Sequence, residues 1–211
     1  MTRSTSFALA LGLTLSVTAC SNPADGKPQA KVEDAAPAKE GTPAKAGEGY
    51  AVKLDASTLG FVGSKVTGSH PGGFKTFTAQ VVPKDGKVEG GSVSVEIDID
   101  SMYSDSEKLT GHLKSPDFFD AAAHPKATFA STEIKAGGSD GYSHTVVGNL
   151  GMHGTTKQIT FPANIAMKDG GVKVDSEFSI NRKDFGMEYA GKADDLIRDE
   201  VVIKLDLTFG S

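Results

Sequence analysis

Tryptophan is absent from the 211 residues, cysteine occurs once, and no basic run appears anywhere in the chain. A single cysteine excludes an intramolecular disulfide, so the folded part must be stabilised by its core alone. The net charge of −5 argues against a nucleic-acid partner, because phosphate binding needs a basic surface. The missing basic run also argues against an electrostatic membrane patch.

The N-terminus has only a short apolar stretch. Residues 7–17 are apolar apart from small Gly, Thr and Ser, and they follow Arg3. This stretch is shorter than the about 20 residues that a membrane-spanning helix needs. It ends in Val17-Thr18-Ala19-Cys20, which resembles the bacterial lipobox. We predict a lipoprotein signal peptide over 1–19 and a lipid anchor on Cys20; the alternative is a non-lipidated signal peptide with an incidental cysteine.

Residues 21–48 contain four prolines, many alanines and no aromatic residue. Such a composition buries too little apolar surface to offset its ordering entropy, so we predict a disordered tether over 20–48. Its average reach is roughly 30 Å. The expected location is the cell envelope, with the folded domain at 49–211. In a Gram-negative host, Ser21 in place of Asp favours the periplasmic face of the outer membrane.

From Gly49 onward the hydrophobic period is two, as in 92–100, where apolar and polar residues alternate strictly. The strand candidates are 50–55, 59–66, 74–82, 92–100, 127–134, 145–152, 158–167, 172–180 and 201–209. Gly-rich turn signals separate them, at 71–73, 84–86, 137–138, 140–141 and 169–171. The pattern predicts an all-β antiparallel fold, and periodicity alone leaves a sandwich and a barrel of about eight strands open.

One segment, 104–123, breaks the alternation. Ser104 or Asp105 is a candidate helix cap, and Asp117 follows Pro116 as a second helical start. We therefore predict a short helical insertion of two helices lying over one end or side of the sheet.

No catalytic or metal motif accompanies these strands. The sequence has no Gly-x-Ser-x-Gly elbow, no phosphate loop and no cysteine in the domain, so we predict neither an enzyme nor a cofactor. The five histidines lack the i, i+2 or i, i+4 spacing of a local metal site: His70, His112, His124, His144 and His153. We expect His112 and His124 to hydrogen-bond backbone within the insertion.

Three motifs carry a family resemblance. The run 111–120, GHLKSPDFFD, with its continuation 124–132, resembles the helical insertion of the YceI-like family. The runs 148–157 and 181–186 are similar to its second and third markers, in the same order. The resemblance implies a lipocalin-like barrel that binds long amphiphilic molecules of isoprenoid or fatty type, in many cases in the periplasm.

The resemblance implies an apolar interior that takes up a ligand tail, with Phe118 and Phe119 closing the mouth. The inward candidates are Phe61, Phe77, Val95, Ile97, Phe129, Leu150, Phe178, Ile180, Ile203 and Leu205. The alternative for each is simple core packing.

Polar residues near the mouth are the candidates for orienting a headgroup. Arg182 and Asp184 come first, with His112 and Lys114 next; the alternative for the first two is a structural ion pair. The family commonly carries an Arg-Asp pair just before the His-Leu of the insertion, where this chain has 109–111, LTG. This departure leaves the headgroup open.

Two functions follow. The first is an envelope lipoprotein that transports, stores or sequesters a long-chain amphiphilic lipid (polyisoprenoid, quinone-like or fatty). The second is a structural or interaction lipoprotein with a filled barrel. Expected partners are the lipid, the membrane through Cys20, and a second copy in a possible homodimer.

Overall fold

The computed structural model describes residues 22–37, 49–168 and 170–210. The predicted signal peptide, the anchor at Cys20 and residues 38–48 of the predicted tether lie outside these ranges. Within these ranges one α-helix, α1 (Glu107–Leu113), accompanies the strands. The strands are β1 (Lys31–Asp34), β2 (Tyr50–Val52), β3 (Thr58–Lys65), β4 (Gly68–Phe74), β5 (Phe77–Lys84), β6 (Lys87–Asp98), β7 (Met102–Ser104), β8 (Lys126–Ala136), β9 (His144–Met152), β10 (Thr155–Lys168), β11 (Gly171–Asn181), β12 (Gly191–Lys192), β13 (Asp195–Leu196) and β14 (Glu200–Gly210).

The strands form a closed antiparallel barrel of eight staves, where a stave is one full-length strand of the wall or two short strands in line. β2 and β3 are the two halves of one stave, and β4 and β5 are the halves of the next. The ring then runs through β6, β8, β9, β10, β11 and β14, which pairs back with β2 and β3. Closure requires β11 to pair on both edges, with β10 and with β14. This pairing decides between the barrel and the sandwich, and it confirms the barrel.

Glycines admit large aromatic rings to the interior at two places on the wall. A Cβ at Gly72 would lie 2.4 Å from Cζ of Phe61, and a Cβ at Gly148 would lie 2.4 Å from Cζ of Phe129. Residues 71–73, which the sequence predicted to be a turn, instead lie inside β4. The turn prediction was wrong because these glycines serve close ring packing rather than chain reversal.

The insertion holds one helix rather than the two predicted. Ser106 caps α1, and its hydroxyl accepts a hydrogen bond from Leu109 N at 3.4 Å, so neither Ser104 nor Asp105 is the cap. Residues 115–123 form consecutive turns. Asp120 adopts a left-handed φ of 44°, which a continuous helix does not allow.

Part of the predicted tether is ordered, which corrects that expectation for residues 28–34. β1 pairs with β10 through Lys31 to Thr160 and Asp34 to Lys157. Ala30 is buried in the core, and Val32 packs against it. Composition could not show this, because the stabilising partner is an unpaired strand edge rather than the segment's own apolar content.

Candidate functional site

An elongated apolar cavity runs through the barrel. Five alternate residues of β14 line it, from Val201 to Phe209. Eight residue steps span roughly 26 Å, or roughly 20 Å along the axis for strands tilted by ~40°. The volume of the cavity is about 200 Å³. A long, narrow space of this kind fits a chain-like molecule better than a compact one.

Twelve of the fourteen predicted ligand-contact residues line this cavity. They are Phe61, Val95, Ile97, Phe118, Phe119, Phe129, Leu150, Phe178, Ile180, Arg182, Ile203 and Leu205. The strand residues among them come from β3, β6, β8, β9, β11 and β14, so closure of the barrel brings distant parts of the chain together.

The other two predicted residues lie elsewhere. Phe77 is buried in the core opposite Ile97 but does not line the cavity, so its role is packing. Asp184 lies in the short 3-10 turn after β11 and is also absent from the cavity wall. Its predicted partner, Arg182, pairs with Asp199 instead.

The sequence reading missed several wall residues. Phe161 lies on the inward face of β10 with Ile159 and Ile165, an alternation that could have revealed it. Phe74 is preceded by two glycines that disguised β4 as a turn. Met187 lies in a loop without periodicity, and nothing in the sequence marked it.

Aromatic residues of the insertion close one end of the cavity. Phe119 packs edge-on against Phe74, with ring centroids 6.3 Å apart. Phe118 makes edge contacts with two rings, and the centroid distances are 5.0 Å to His112 and 5.4 Å to Tyr189. Through these contacts the insertion places both phenylalanines at the barrel end.

Polar contacts of the insertion fix it in place. His112 Nε2 lies 2.8 Å from Asp117 Oδ2, so its partner is a carboxylate and not the backbone that we expected. Lys114 donates to the carbonyl of Asp100, which joins the insertion to the 3-10 turn Ile99–Ser101 after β6. His124 packs beside His153, with ring centroids 5.5 Å apart. Neither His112 nor Lys114 lines the cavity.

Arg182 is the one charged side chain on the described cavity wall, and every other described lining residue is apolar or glycine. It is only 3% exposed. Its Nε donates to Arg198 O at 3.1 Å, Nη1 donates to Met187 O, and Nη2 donates to Asp199 Oδ1 at 3.3 Å. These bonds hold the loop after β11 against the barrel end. The wall thus offers burial and one cation, without a nucleophile or an acid–base pair.

The carboxyl groups whose pKa is displaced lie away from this wall. Burial by itself would raise the pKa of Glu177, but hydrogen bonds from Lys27 and Lys204 outweigh it, so the pKa lies below its usual value. A hydrogen bond from Lys65 likewise lowers the pKa of Asp195. These shifts belong to ion pairs on the outer surface rather than to cavity chemistry.

The described ranges contain neither a cluster of metal ligands nor a membrane-spanning helix. Within 22–37, 49–168 and 170–210, no three His, Cys, Asp or Glu side chains group as metal ligands would. In the same ranges, no helix combines the length and apolar character needed to cross a bilayer.

Comparison with known proteins places the chain in a family. Residues 50–209 match the model of the YceI-like domain. The UPF0312 protein of Pseudomonas putida strain GB-1 is 34% identical over 126 residues, which are 57% of this chain and 65% of that protein. The UPF0312 protein of Azotobacter vinelandii is 32% identical over 123 residues, covering 56% and 63%. The chain therefore spans somewhat less than two thirds of these relatives.

Solved structures agree with the sequence match. BcnA of Burkholderia cenocepacia superposes with a TM-score of 0.66 at 29% identity, covering 74% of this chain and 98% of BcnA. A domain from Saccharophagus degradans, described as polyisoprenoid binding, gives a TM-score of 0.63 at 19% identity and covers 78% and 99%, which shows a shared fold. Because the domain match extends over most of its length, this chain belongs to the YceI-like domain family.

Proposed function

We propose that the barrel binds one long-chain amphiphilic lipid, of isoprenoid, quinone-like or fatty type, with its tail in the cavity. The elongated apolar cavity carries this proposal. Each buried methylene contributes about 0.8 kcal/mol, so a tail of about 20 carbons gains roughly 16 kcal/mol before the costs of association. The description of the Saccharophagus degradans domain as polyisoprenoid binding supports the same ligand class.

Arg182 is the candidate for the polar end of the ligand. Three of its five N–H donors are hydrogen-bonded to protein acceptors, on Arg198, Met187 and Asp199. A hydroxyl, carbonyl or phosphate oxygen of a headgroup at this end of the cavity would meet in Arg182 the one charged side chain of the described wall. We infer binding rather than catalysis, because the rest of the wall is apolar.

Native mass spectrometry of the protein, purified without detergent, tests the proposal. We expect one added mass of lipid size, either retained from the host or acquired on incubation with geranylgeraniol, a four-isoprene alcohol. A bare mass that persists after incubation with prenyl, quinone and fatty lipids contradicts it. That result would favour the second function, a structural or interaction lipoprotein. The cavity through the barrel argues against the filled interior that this second function assumes.

A substitution inside the cavity provides a matched test. Leu205→Trp places a larger ring in the cavity, whereas Lys204→Trp places the same ring on the outer face of β14. We expect uptake of geranylgeraniol to fall at least about tenfold for the first and to stay unchanged for the second. The native chain has no tryptophan, so emission of the new residue also checks its burial.

We also propose that Cys20 carries the lipid anchor and holds the barrel at the cell envelope. The apolar run that ends at this cysteine supports the proposal. Because residues 28–34 are ordered against the barrel, only about eight residues separate the anchor from the barrel, which limits the distance between them to about 28 Å. Cys20→Ser should move the protein from the membrane fraction to the soluble fraction; unchanged fractionation contradicts the anchor. The homodimer stays a prediction.

A further inference from the structure

The barrel wall between β10 and β11 is hydrogen-bonded along only part of its length. Pairing runs from Lys168 opposite Gly171 to Asn164 opposite Asp175 and then stops. Pro162 follows on β10, and a proline has no N–H to donate to the ladder. We call the seam the region in which β10 (residues 157–162) and β11 (residues 176–180) form no ladder with each other, although the Ser176 hydroxyl donates to the carbonyl of Pro162 across it.

Along the seam, the backbone groups of β11 form hydrogen bonds with partners other than β10. The hydroxyl of Tyr142 accepts from Glu177 N at 3.2 Å and donates to Glu177 O at 3.3 Å. Two residues further, Ser179 N donates to Pro28 O at 2.9 Å and Ser179 O accepts from Ala30 N at 2.8 Å. Residues 28–34 thus lie between the two staves, bonded to β11 at one end and to β10 through β1.

The inner side of the seam is part of the cavity. Phe161 of β10 and Phe178 of β11 stack across it, with centroids 4.3 Å apart and planes 15° apart. Ile159 and Ile180 lie beside them, and all four residues line the cavity. These four side chains and the strand of residues 28–34 therefore lie between the cavity and the outside here.

The covering strand has weaker contacts than the staves. Only the small side chains of Ala30 and Val32 join the core. Its flanks are held by surface contacts: Lys27 with Glu177 at 3.0 Å, and Asp34 with Lys157 at 2.9 Å, where the Asp34 side chain is 97% exposed. Exposed ion pairs contribute little, so this strand is the part of the wall expected to open first.

We propose that residues 28–34 are a detachable strand that closes a lateral portal, through which a lipid enters and leaves the barrel. This proposal rests on the proposed lipid binding and adds the route by which the lipid reaches the cavity. Detachment leaves the ladders between the eight barrel strands intact, because β10 keeps β9 and its paired segment of β11, and β11 keeps β14. Side entry also spares the insertion, whose aromatic contacts close the barrel end.

A disulfide across the outer face tests the portal. Glu33 and Gln158 are opposed on β1 and β10, and neither lines the cavity. Opposed residues of antiparallel strands lie about 4.5–5.5 Å apart at Cα, within disulfide range. The Glu33→Cys/Gln158→Cys pair is made in full-length protein with Cys20→Ser, which removes the third thiol. We expect oxidised protein to take up geranylgeraniol at least about tenfold more slowly than the same protein after reduction.

A second disulfide is the matched control. Lys173 and Thr208 are opposed on β11 and β14, away from the seam, and the Lys173→Cys/Thr208→Cys pair should leave the uptake rate unchanged on oxidation. Equal uptake rates in the oxidised and reduced seam variant overturn the portal while leaving lipid binding intact. Absence of uptake in both states overturns the proposed function and the portal with it.

Amide hydrogen exchange tests the strand without a ligand. We expect the amides of Ala30 and Ser179 to exchange at least about tenfold faster than those of the β11–β14 ladder. Exchange as slow as that of the ladder would show that the strand opens only with the whole barrel, which overturns the portal whatever the ligand.

Discussion

Replacing Arg182 with methionine removes three hydrogen bonds from a buried corner of the barrel end. The acceptors left behind are the carbonyls of Met187 and Arg198 and one oxygen of Asp199. A buried acceptor that loses its partner costs about 1–3 kcal/mol, and breaking a buried ion pair costs about 3–5 kcal/mol. Because Asp199 is about one third exposed and keeps Lys183 at 2.9 Å, we expect a total loss of about 3–5 kcal/mol.

Urea unfolding followed by circular dichroism measures this loss. With a slope of about 2 kcal/mol per molar, Arg182→Met should lower the midpoint by roughly 2 M. Lys183→Met is the control, because Lys183 also pairs with Asp199 but is exposed, and it should cost less than about 1 kcal/mol. A loss below about 1 kcal/mol for Arg182→Met, equal to the control, would refute the structural role assigned to this arginine.

Two further predictions concern packing and pH. Gly148→Ala should destabilise the fold by about 1–3 kcal/mol because the new Cβ meets the ring of Phe129, whereas Gly63→Ala, with no atom within 4 Å, should be neutral; thermal unfolding of both variants checks this. The pKa of Glu177 is lowered in the fold, so the stability that its pair with Lys27 contributes is present above pH 4.5, its ordinary value, and is lost as the pH falls through the lowered pKa. At pH values below 4.5, the amide hydrogen-exchange protection factors of residues 28–34 should therefore decrease. Protection that does not depend on pH would contradict the role assigned to the Glu177–Lys27 pair.

Local sequence signals predicted the long staves well. The alternation in 92–100 and 201–209 matches β6 and β14, whose inward residues Val95, Ile97, Ile203 and Leu205 line the cavity. Period-two patterning is decided within one strand, so no distant partner is needed to detect it.

The sequence-based predictions were wrong where the role of a residue depends on a contact with a residue distant in the chain. Gly72 reads as a turn residue, yet it lies in a strand because Phe61 needs its space. Asp184 was expected beside Arg182, but the chain returns through 186–199 and brings Asp199 to the guanidinium instead. The partner of a buried charge depends on which loop folds over it, and no local pattern encodes that.

The sequence by itself determined the alternating strands, the helical insertion and the family, because each depends on residues close together in the chain. Only the tertiary structure decided that the barrel closes, that its interior holds a continuous cavity, and that residues 28–34 complete the wall. Those three features depend on which strand edges find a partner and on the volume that the packed side chains leave empty. Both are determined by residues distant from one another in the chain, and both exist only once the staves are in register.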